Sequence, residues 1–260
     1  GIYNMENKIK VIRDAEIFDV HIKEMLCDWL VYIGVSLDVV NGMAEEIKKY
    51  FIQDISVFEV EEILHKLIWD YNVSGTIDER LKEEEELVFD EIKNHFVKGN
   101  TLDVGTGSGK IAQKINDLGF PTTIIDVIDF NKSNLKLTVY DGENIPFPEN
   151  EFENVTLMTV LHHCQSYMKT LNEVIRVSKN NIIIIESVYT DQHEYYCDMF
   201  FDWLWNRVVY RDVNVPFNFN KPEEWEKIFR EKGLTVDKSI DLGYDSPMTP
   251  EHHWLFVLKK

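Results

Sequence analysis

The sequence has few cysteines, few basic residues and no long apolar run, and each shortage excludes a class of protein. The three cysteines, Cys27, Cys164 and Cys197, are odd in number, far apart and without C-x-x-C spacing, which argues against a disulfide framework and predicts reduced thiols in a cytoplasmic protein. There are 27 basic residues against 46 acidic ones, a net charge of −19. Such acidity would repel a phosphate backbone, so a nucleic acid substrate is not expected.

Apolar runs long enough for a membrane span are missing as well. The longest apolar strand candidate, Ile182 to Ile185, is far shorter than the roughly 20 residues that a membrane helix needs. The N-terminus also lacks the apolar region of a signal peptide, so no membrane association is predicted. Hydrophobic residues nevertheless make up 44% of the chain, which predicts a folded core instead of disorder.

The most informative stretch is a glycine motif in the segment TLDVGTGSGKIAQK, Thr101 to Lys114. An apolar run passes the carboxylate of Asp103, reaches Gly105, Gly107 and Gly109, and continues as a helix-like pattern. Glycine permits a positive φ and a close approach of a ligand to the main chain, and the first N–H groups of a helix have no partner within the helix. The motif therefore predicts a ligand-binding loop between a strand and a helix.

The spacing of this motif argues against two common ligands. A phosphate-binding loop, G-x-x-x-x-G-K-[ST], would need glycine where Val104 stands and a hydroxyl where Ile111 stands. A dinucleotide fingerprint, G-x-G-x-x-G, would need glycine in place of Lys110. The remaining pattern, D-x-G-x-G-x-G, resembles the first motif of the class I S-adenosylmethionine (AdoMet) dependent methyltransferases. The resemblance covers roughly residues 100–260. The alternative interpretation of the motif is a glycine-rich turn that binds no ligand.

From residue 100 onward, strand patterns alternate with helix patterns, which predicts a parallel α/β sheet. The resemblance implies a Rossmann-like, seven-stranded methyltransferase sheet whose last two strands pair antiparallel at an edge. The predicted strands cover residues 101–104, 122–128, 137–140, 152–159, 181–188, 234–240 and 254–259. The segment between the second and third strands is too short for a full crossover helix, so we expect a turn or a single helical turn there.

An all-helical segment, residues 1–97, is predicted to precede the methyltransferase domain, residues 98–260. Apolar residues at helical spacing and two capping-box patterns indicate four to five helices. The segment could be a lid or substrate domain using Trp69 and Tyr71, a dimer or partner-docking region, or an extension that only stabilises the fold. An aromatic insertion near residues 191–219 is predicted to line the acceptor pocket, with packing of an extra helix as the alternative.

Two carboxylates are candidates for binding the cofactor's nucleoside. Asp126 stands 17 residues after Gly109, close to the spacing at which an acid at the end of a second strand binds ribose hydroxyls, and Asp129 competes with it. After the third strand, the resemblance implies that Asp141 binds the adenine amino group, as a carboxylate acceptor can. The alternative for Asp141 is a turn residue beside Gly142.

The loop after the fourth strand reads Val160-Leu161-His162-His163-Cys164. It resembles the corresponding loop of a subgroup that includes quinone-biosynthesis methyltransferases, which implies that this loop lies beside the methionine part of the cofactor. S-adenosyl-L-methionine is thus the cofactor that the resemblance implies. The complete set of predicted cofactor-binding residues is Asp103, Gly105, Thr106, Gly107, Gly109, Asp126, Val127, Asp141, Gly142, Thr159 and Leu161.

The methyl group of AdoMet is already activated, so the enzyme's main contribution is placement of the acceptor. A hydroxyl or an acidic carbon as acceptor would also need a base, for which the candidates are His162, His163 and Asp202. A structural role for the histidines is open, and a metal site is not expected because adjacent residues rarely converge on one ion. Glu186, at the end of the fifth strand, is a candidate substrate contact.

The predicted activity is O-, N- or C-methylation of a small-molecule acceptor. Two alternatives remain open. The acceptor could be a peptide or a carrier-bound intermediate docked by the N-terminal helices, or the protein could bind AdoMet without catalysis. The sequence leaves a homodimer open.

Overall fold

The computed structural model describes residues 2–70, 76–211 and 213–260. The chain packs into two units. The helical unit contains residues 1–84, 188–219 and 244–252, and the sheet unit contains residues 85–187, 220–243 and 253–260. The domain boundary between residues 97 and 98 stays a prediction, and the predicted lid residue Tyr71 lies outside the described residues.

Helices form where apolar residues recur at helical spacing. In chain order they are α1 Ile2–Ile9, α2 Ala15–Ile17, α3 Lys23–Tyr32, α4 Val40–Phe51, α5 Val57–Asp70, α6 Thr76–Ile92, α7 Lys110–Asp117, α8 Tyr167–Val177, α9 Gln192–Trp203 and α10 Pro222–Glu231. Two π-helical turns, Phe18–Ile22 and Leu204–Val209, continue α2 and α9, and short 3₁₀ turns cover Lys10–Ile12 and Leu161–His163. In the described part of the N-terminal segment the helices are α1 to α6, slightly more than predicted.

The strands are β1 Thr101–Val104, β2 Thr122–Asp126, β3 Leu137–Val139, β4 Phe152–Met158, β5 Ser178–Val188, β6 Thr235–Gly243 and β7 His252–Lys259. They form a seven-stranded sheet of order β3-β2-β1-β4-β5-β7-β6. Strand β1 pairs parallel with β2 and β4, whereas β6 and β7 pair antiparallel. The predicted Rossmann-like sheet and its antiparallel last pair are confirmed, and β2 passes to β3 without a helix.

The core of the helical unit joins the N-terminal helices to the aromatic insertion. The Phe51 ring on α4 lies 5.2 Å from the ring of Phe200 and 5.0 Å from that of Trp203, both on α9. Several insertion aromatics are buried in this core: Phe200, Phe201, Trp203, Phe217 and Phe219. Packing, the alternative to an acceptor pocket, therefore accounts for these five side chains.

The second half of α6 belongs to the core of the sheet unit. Ile92 is buried with Ile183 of β5 and Leu255 of β7, and Val88 and Phe89 pack against the same cluster. Part of the predicted N-terminal segment is thus integral to the sheet. Among the described residues, no helix combines the length and apolar content that crossing a membrane requires.

Candidate functional site

The glycine loop takes a backbone conformation that requires glycine. Gly105, Gly107 and Gly109 have φ values of 68°, 57° and 73°, and α7 starts immediately after them. A Cβ on Gly105 would lie 2.6 Å from Cγ2 of Val160, so the loop packs tightly against the segment that follows β4. A Cβ on Gly107 would meet no atom within 4 Å. The backbone is therefore open to a ligand at Gly107.

The buried side chain of Asp103 stabilises the glycine loop through hydrogen bonds. Its side chain is buried, with Oδ1 accepting from Thr156 Oγ1 at 2.6 Å and Oδ2 accepting from Thr106 Oγ1 at 2.7 Å. Burial raises the pKa of Asp103 to about 6, although these two hydroxyl donors favour the ionised form. The group thereby links the loop to β4.

Asp126 lies against the glycine loop at the end of β2. Its Oδ2 accepts from the Gly107 N–H at 2.8 Å and its Oδ1 from the Val127 N–H at 2.7 Å. Each carboxylate oxygen can accept a second hydrogen bond, so the group can bind ribose hydroxyls while it remains attached to the loop. The competing carboxylate of Asp129 accepts instead from the Asn131 N–H at 3.0 Å. The geometry favours Asp126.

Asp141 organises the turn after β3. Its Oδ1 accepts from the N–H groups of Glu143 and Asn144 at 2.8 and 2.7 Å, and its Oδ2 accepts from Asn144 Nδ2 at 2.9 Å. These hydrogen bonds hold the pKa of Asp141 at about 2, so it remains an ionised acceptor at neutral pH. A Cβ on Gly142 would lie 3.0 Å from Cγ1 of Val127. The turns after β2 and β3 therefore adjoin each other.

These residues fit AdoMet at the carboxyl edge of the sheet. The open main chain at Gly107, the remaining acceptor capacity of Asp126 and the ionised Asp141 suit a ligand with an amine-bearing base and ribose hydroxyls. Edges of this kind are where ligands bind in open α/β sheets.

The segment after β4 holds a strained residue. Thr159 has a φ of 57°, a rare conformation for a β-branched side chain. Its N–H donates to the Ile185 carbonyl at 2.7 Å, and its hydroxyl donates to the Met158 carbonyl at 2.7 Å. Leu161 is fully buried and anchors the 3₁₀ turn that carries the two histidines. Strain of this kind is maintained only where the surroundings enforce it, as at binding sites.

His162 and Glu186 form a buried pair, with exposed fractions of 2% and 0%. His162 Nδ1 lies 2.7 Å from Glu186 Oε2, and the His162 N–H donates to Oε1 at 3.2 Å. A carboxylate beside Nδ1 favours the proton on that nitrogen, which leaves the lone pair on Nε2. The ring of His163 packs at 4.1 Å between centroids on the ring of His162.

The pairing of His162 with Glu186 was not predicted from the sequence. Glu186 was predicted to contact substrate, but its fully buried side chain is bound to His162 and to the N–H of Ser187. The only sequence signal was a carboxylate that ends an apolar strand, at the same edge as the histidines. The third predicted catalytic residue, Asp202, lies on α9 in the helical unit, where its Oδ1 accepts from Asn206 Nδ2 at 2.8 Å.

Glu85 was also missed. Glu85 lies within a run of four glutamates at 83–86, yet it is half-buried and accepts from Ser108 Oγ of the glycine loop at 3.3 Å. Burial raises the pKa of this carboxyl group. Within a uniform run of glutamates, the sequence carries no signal that distinguishes this one.

Comparison with known proteins agrees with this geometry. A family described as "Methyltransferase domain" matches residues 76–239. An uncharacterized protein of Methanocaldococcus jannaschii is 27% identical over 58% of this chain and 75% of its own length. A ubiquinone/menaquinone biosynthesis C-methyltransferase of Rickettsia bellii is 34% identical over 34% of this chain, and the match spans 45% of that enzyme.

Solved structures share the fold, including one from Haloferax volcanii and one from Thermotoga maritima. One is a chain of the complex between the Haloferax volcanii Trm112 methyltransferase activator and a methyltransferase, with a TM-score of 0.54, 14% identity, and coverage of 70% of this chain and 92% of that one. The other is an S-adenosylmethionine-dependent methyltransferase from Thermotoga maritima, with a TM-score of 0.53, 16% identity, and coverage of 72% and 99%.

The family match covers more than half of the chain, and the sheet order, the glycine loop and the acids after β2 and β3 agree with it. The chain belongs to the class I methyltransferases, enzymes whose methyl donor is S-adenosylmethionine.

Proposed function

We propose that this enzyme methylates a small-molecule acceptor and that His162 is the general base, positioned by Glu186. The observation that carries the proposal is the buried His162–Glu186 pair, on a segment that packs through Val160 against Gly105 of the glycine loop. With its proton on Nδ1, His162 can accept a proton from a hydroxyl or an acidic carbon through Nε2. Glu186 stabilises the imidazolium that results.

The chain's own residues would hold the cofactor as follows. Asp126 binds the ribose hydroxyls, Asp141 accepts from the adenine amino group, and the main chain at Gly107 approaches the cofactor closely. Thr159 and Leu161 fix the loop beside its methionine part. Bound AdoMet would supply the activated methyl group. The enzyme's contribution is to place the acceptor and to remove a proton from it.

Cofactor binding is tested first by calorimetric titration with AdoMet and S-adenosylhomocysteine. Asp126→Asn is expected to weaken both about 100-fold, because hydrogen bonds to charged groups contribute about 1.5–3 kcal/mol each. Asp129→Asn is the matched control and should bind like the wild type. Equal losses in the two variants would contradict the assignment of Asp126.

The base is tested by turnover with acceptors found in a screen with methyl-labelled AdoMet. His162→Gln is expected to keep AdoMet affinity and to lower kcat by about 100-fold or more. Glu186→Gln should lower kcat and shift the pH at which turnover rises, since the imidazolium loses its partner. His95→Gln, in the segment before β1, is the control. An unchanged kcat in the His162 variant would reject this residue as the base.

A second candidate function is methylation of a peptide or a carrier-bound intermediate docked by the N-terminal helices. The Haloferax volcanii neighbour comes from a complex with a protein activator, which motivates a search for a protein partner. Affinity purification of the full chain, with and without AdoMet, would identify such a partner.

A cytoplasmic location belongs to the main proposal and is supported by the three cysteines, none of which forms a disulfide in the described part of the chain. Light scattering would measure whether the enzyme is a homodimer.

A further inference from the structure

The helical unit contains a cleft of about 390 Å³ that the proposed methyl transfer does not use. It is lined by Phe58, Glu61, Glu62, Arg207, Tyr210 and Arg211. These residues come from α5 and from the π-helical turn that continues α9, together with the two residues after it. Sites for small molecules have volumes of about 300–1,000 Å³, so the cleft is large enough for a small metabolite.

The floor of the cleft is a fixed ion pair. Glu61 Oε1 accepts from Arg207 Nε and Nη2 at 3.2 and 3.0 Å, and Glu61 Oε2 accepts from Trp203 Nε1 at 3.1 Å. The side chains of Glu61 and Arg207 are only 5% and 18% exposed. Separating such a pair would leave an uncompensated buried charge, so these two groups stay together when a ligand binds.

The rim of the cleft is an ion pair of a different kind. Glu62 pairs with Arg211, and their side chains are 66% and 37% exposed. Exposed ion pairs contribute little to stability because water screens them, so a ligand can separate this pair at little cost. Once separated, the rim offers one carboxylate and one guanidinium.

The opposite charges of Glu62 and Arg211 determine which charges a ligand must carry. A purely cationic ligand would leave Arg211 without a partner, and a purely anionic one would leave Glu62 without one. A molecule with both an ammonium and a carboxylate group satisfies both, since the guanidinium can donate two parallel hydrogen bonds to a carboxylate. The rings of Phe58 and Tyr210, the latter 40% exposed, add apolar walls for a side chain. We propose that the cleft binds a free α-amino acid with an apolar or aromatic side chain.

The test is calorimetric titration of the full chain without AdoMet. The probes are L-phenylalanine and L-leucine, with phenethylamine and 3-phenylpropanoate as analogues of phenylalanine that keep only one of its two charges. An amino acid is expected to bind at least about tenfold more tightly than either analogue. The proposal is overturned if neither amino acid binds at millimolar concentration, or if an analogue binds as tightly as phenylalanine.

Two exposed substitutions locate the site. Glu62→Gln and Arg211→Asn should each weaken amino-acid binding at least about tenfold. Asparagine is chosen because Arg211 has a φ of 80°, which asparagine tolerates. Lys23→Gln, which breaks the exposed pair with Glu45 elsewhere in the helical unit, is the matched control. Amino-acid binding that persists in both rim variants would place the site elsewhere and reject the proposal.

Amino-acid binding in the cleft and AdoMet binding at the glycine loop can be measured separately. Asp126→Asn should retain amino-acid binding, and Glu62→Gln should retain AdoMet binding. A protein that binds AdoMet but no amino acid contradicts only this inference, and a protein that binds amino acids but no AdoMet contradicts only the cofactor site.

Discussion

At the scale of single residues, Asp103 shows how a local environment changes the chemistry of a common side chain. The carboxyl group is buried between β1 and β4, and its folded pKa is about 6, whereas an unfolded aspartate has a pKa of about 3.9. The folded state therefore binds the proton more tightly than the unfolded state. This group contributes its full stability below pH about 4, and the contribution is lost as the pH rises through about 6.

We therefore predict a pH-dependent difference between the wild type and Asp103→Asn, because asparagine does not titrate. The free energy of unfolding of the wild type relative to the variant should fall between pH about 4 and about 6, by an amount on the order of 3 kcal/mol. Urea denaturation at several pH values measures this difference. A difference that stays constant over this range would show that Asp103 does not titrate differently in the folded chain.

The sequence positions of His162 and His163 do not determine which of the two is the base. His162 and His163 are adjacent in sequence, yet His162 is buried against Glu186 and His163 is half-buried. The sequence identified both as candidate bases. The carboxylate that distinguishes them comes from β5, which lies beside β4 in the sheet. The choice between the two histidines therefore required the strand pairing.

At the scale of elements, one glycine inside α4 and one just after α3 have opposite conformational requirements. Gly42 lies in the first turn of α4 and is exposed, and a Cβ added there would meet no atom within 4 Å. Gly34 follows α3 with a φ of 103°, where it ends the helix. Glycine weakens a helix interior but suits a left-handed helix end.

Alanine substitutions at these two glycines should therefore change stability in opposite directions. Gly42→Ala is expected to raise the free energy of unfolding by about 0.5–1 kcal/mol. Gly34→Ala is expected to lower it by about 1–2 kcal/mol, since alanine is strained at a positive φ. Thermal and chemical denaturation would measure both. The same sign for both substitutions would be inconsistent with these backbone assignments.

The segment between α6 and β1 shows an element-scale effect that local patterns do not reveal. Val97 donates its N–H to Asn154 Oδ1 at 2.9 Å and accepts from Asn154 Nδ2 at 2.8 Å. Asn181 Nδ2 donates to the His95 carbonyl at 2.9 Å. The buried amides of β4 and β5 thus attach this segment to the sheet, so packing includes residues 85–97 in the sheet unit.

At the scale of the whole molecule, the helical unit is assembled from distant parts of the sequence. Helices α1 to α5 share one core with α9 and with Met248. The Trp29 indole donates to the Met248 carbonyl at 3.0 Å. The aromatic residues of α9 depend on the N-terminal helices for burial, so neither part is expected to be soluble alone.

Deleting residues 1–84 should therefore give an insoluble chain, because Phe200 and Trp203 would be exposed. Co-expression of residues 1–84 as a separate fragment is expected to restore soluble protein, and the same fragment with Phe51→Asp is expected to fail. Centrifugation and size-exclusion chromatography measure the outcome. A soluble, monomeric chain without the fragment would contradict the shared core.

Short-range patterns were enough to predict the glycine loop, the strands of the sheet, the acid that ends β2 and the acid in the turn after β3. These features depend on local physics: positive φ at glycine, the alternation of apolar runs with turns, and carboxylates placed at strand ends. The resemblance to methyltransferases rests on the same patterns.

The remaining features arise only from tertiary packing. Packing paired His162 with Glu186, buried the aromatic insertion against helices from the N-terminal segment, and gave Glu85 a partner in the glycine loop. Each of these depends on which distant side chains meet, and that is set by strand order and by the packing of separate helices. A sequence pattern does not specify contacts between residues that are distant in sequence, because burial and contact partners are properties of the folded core.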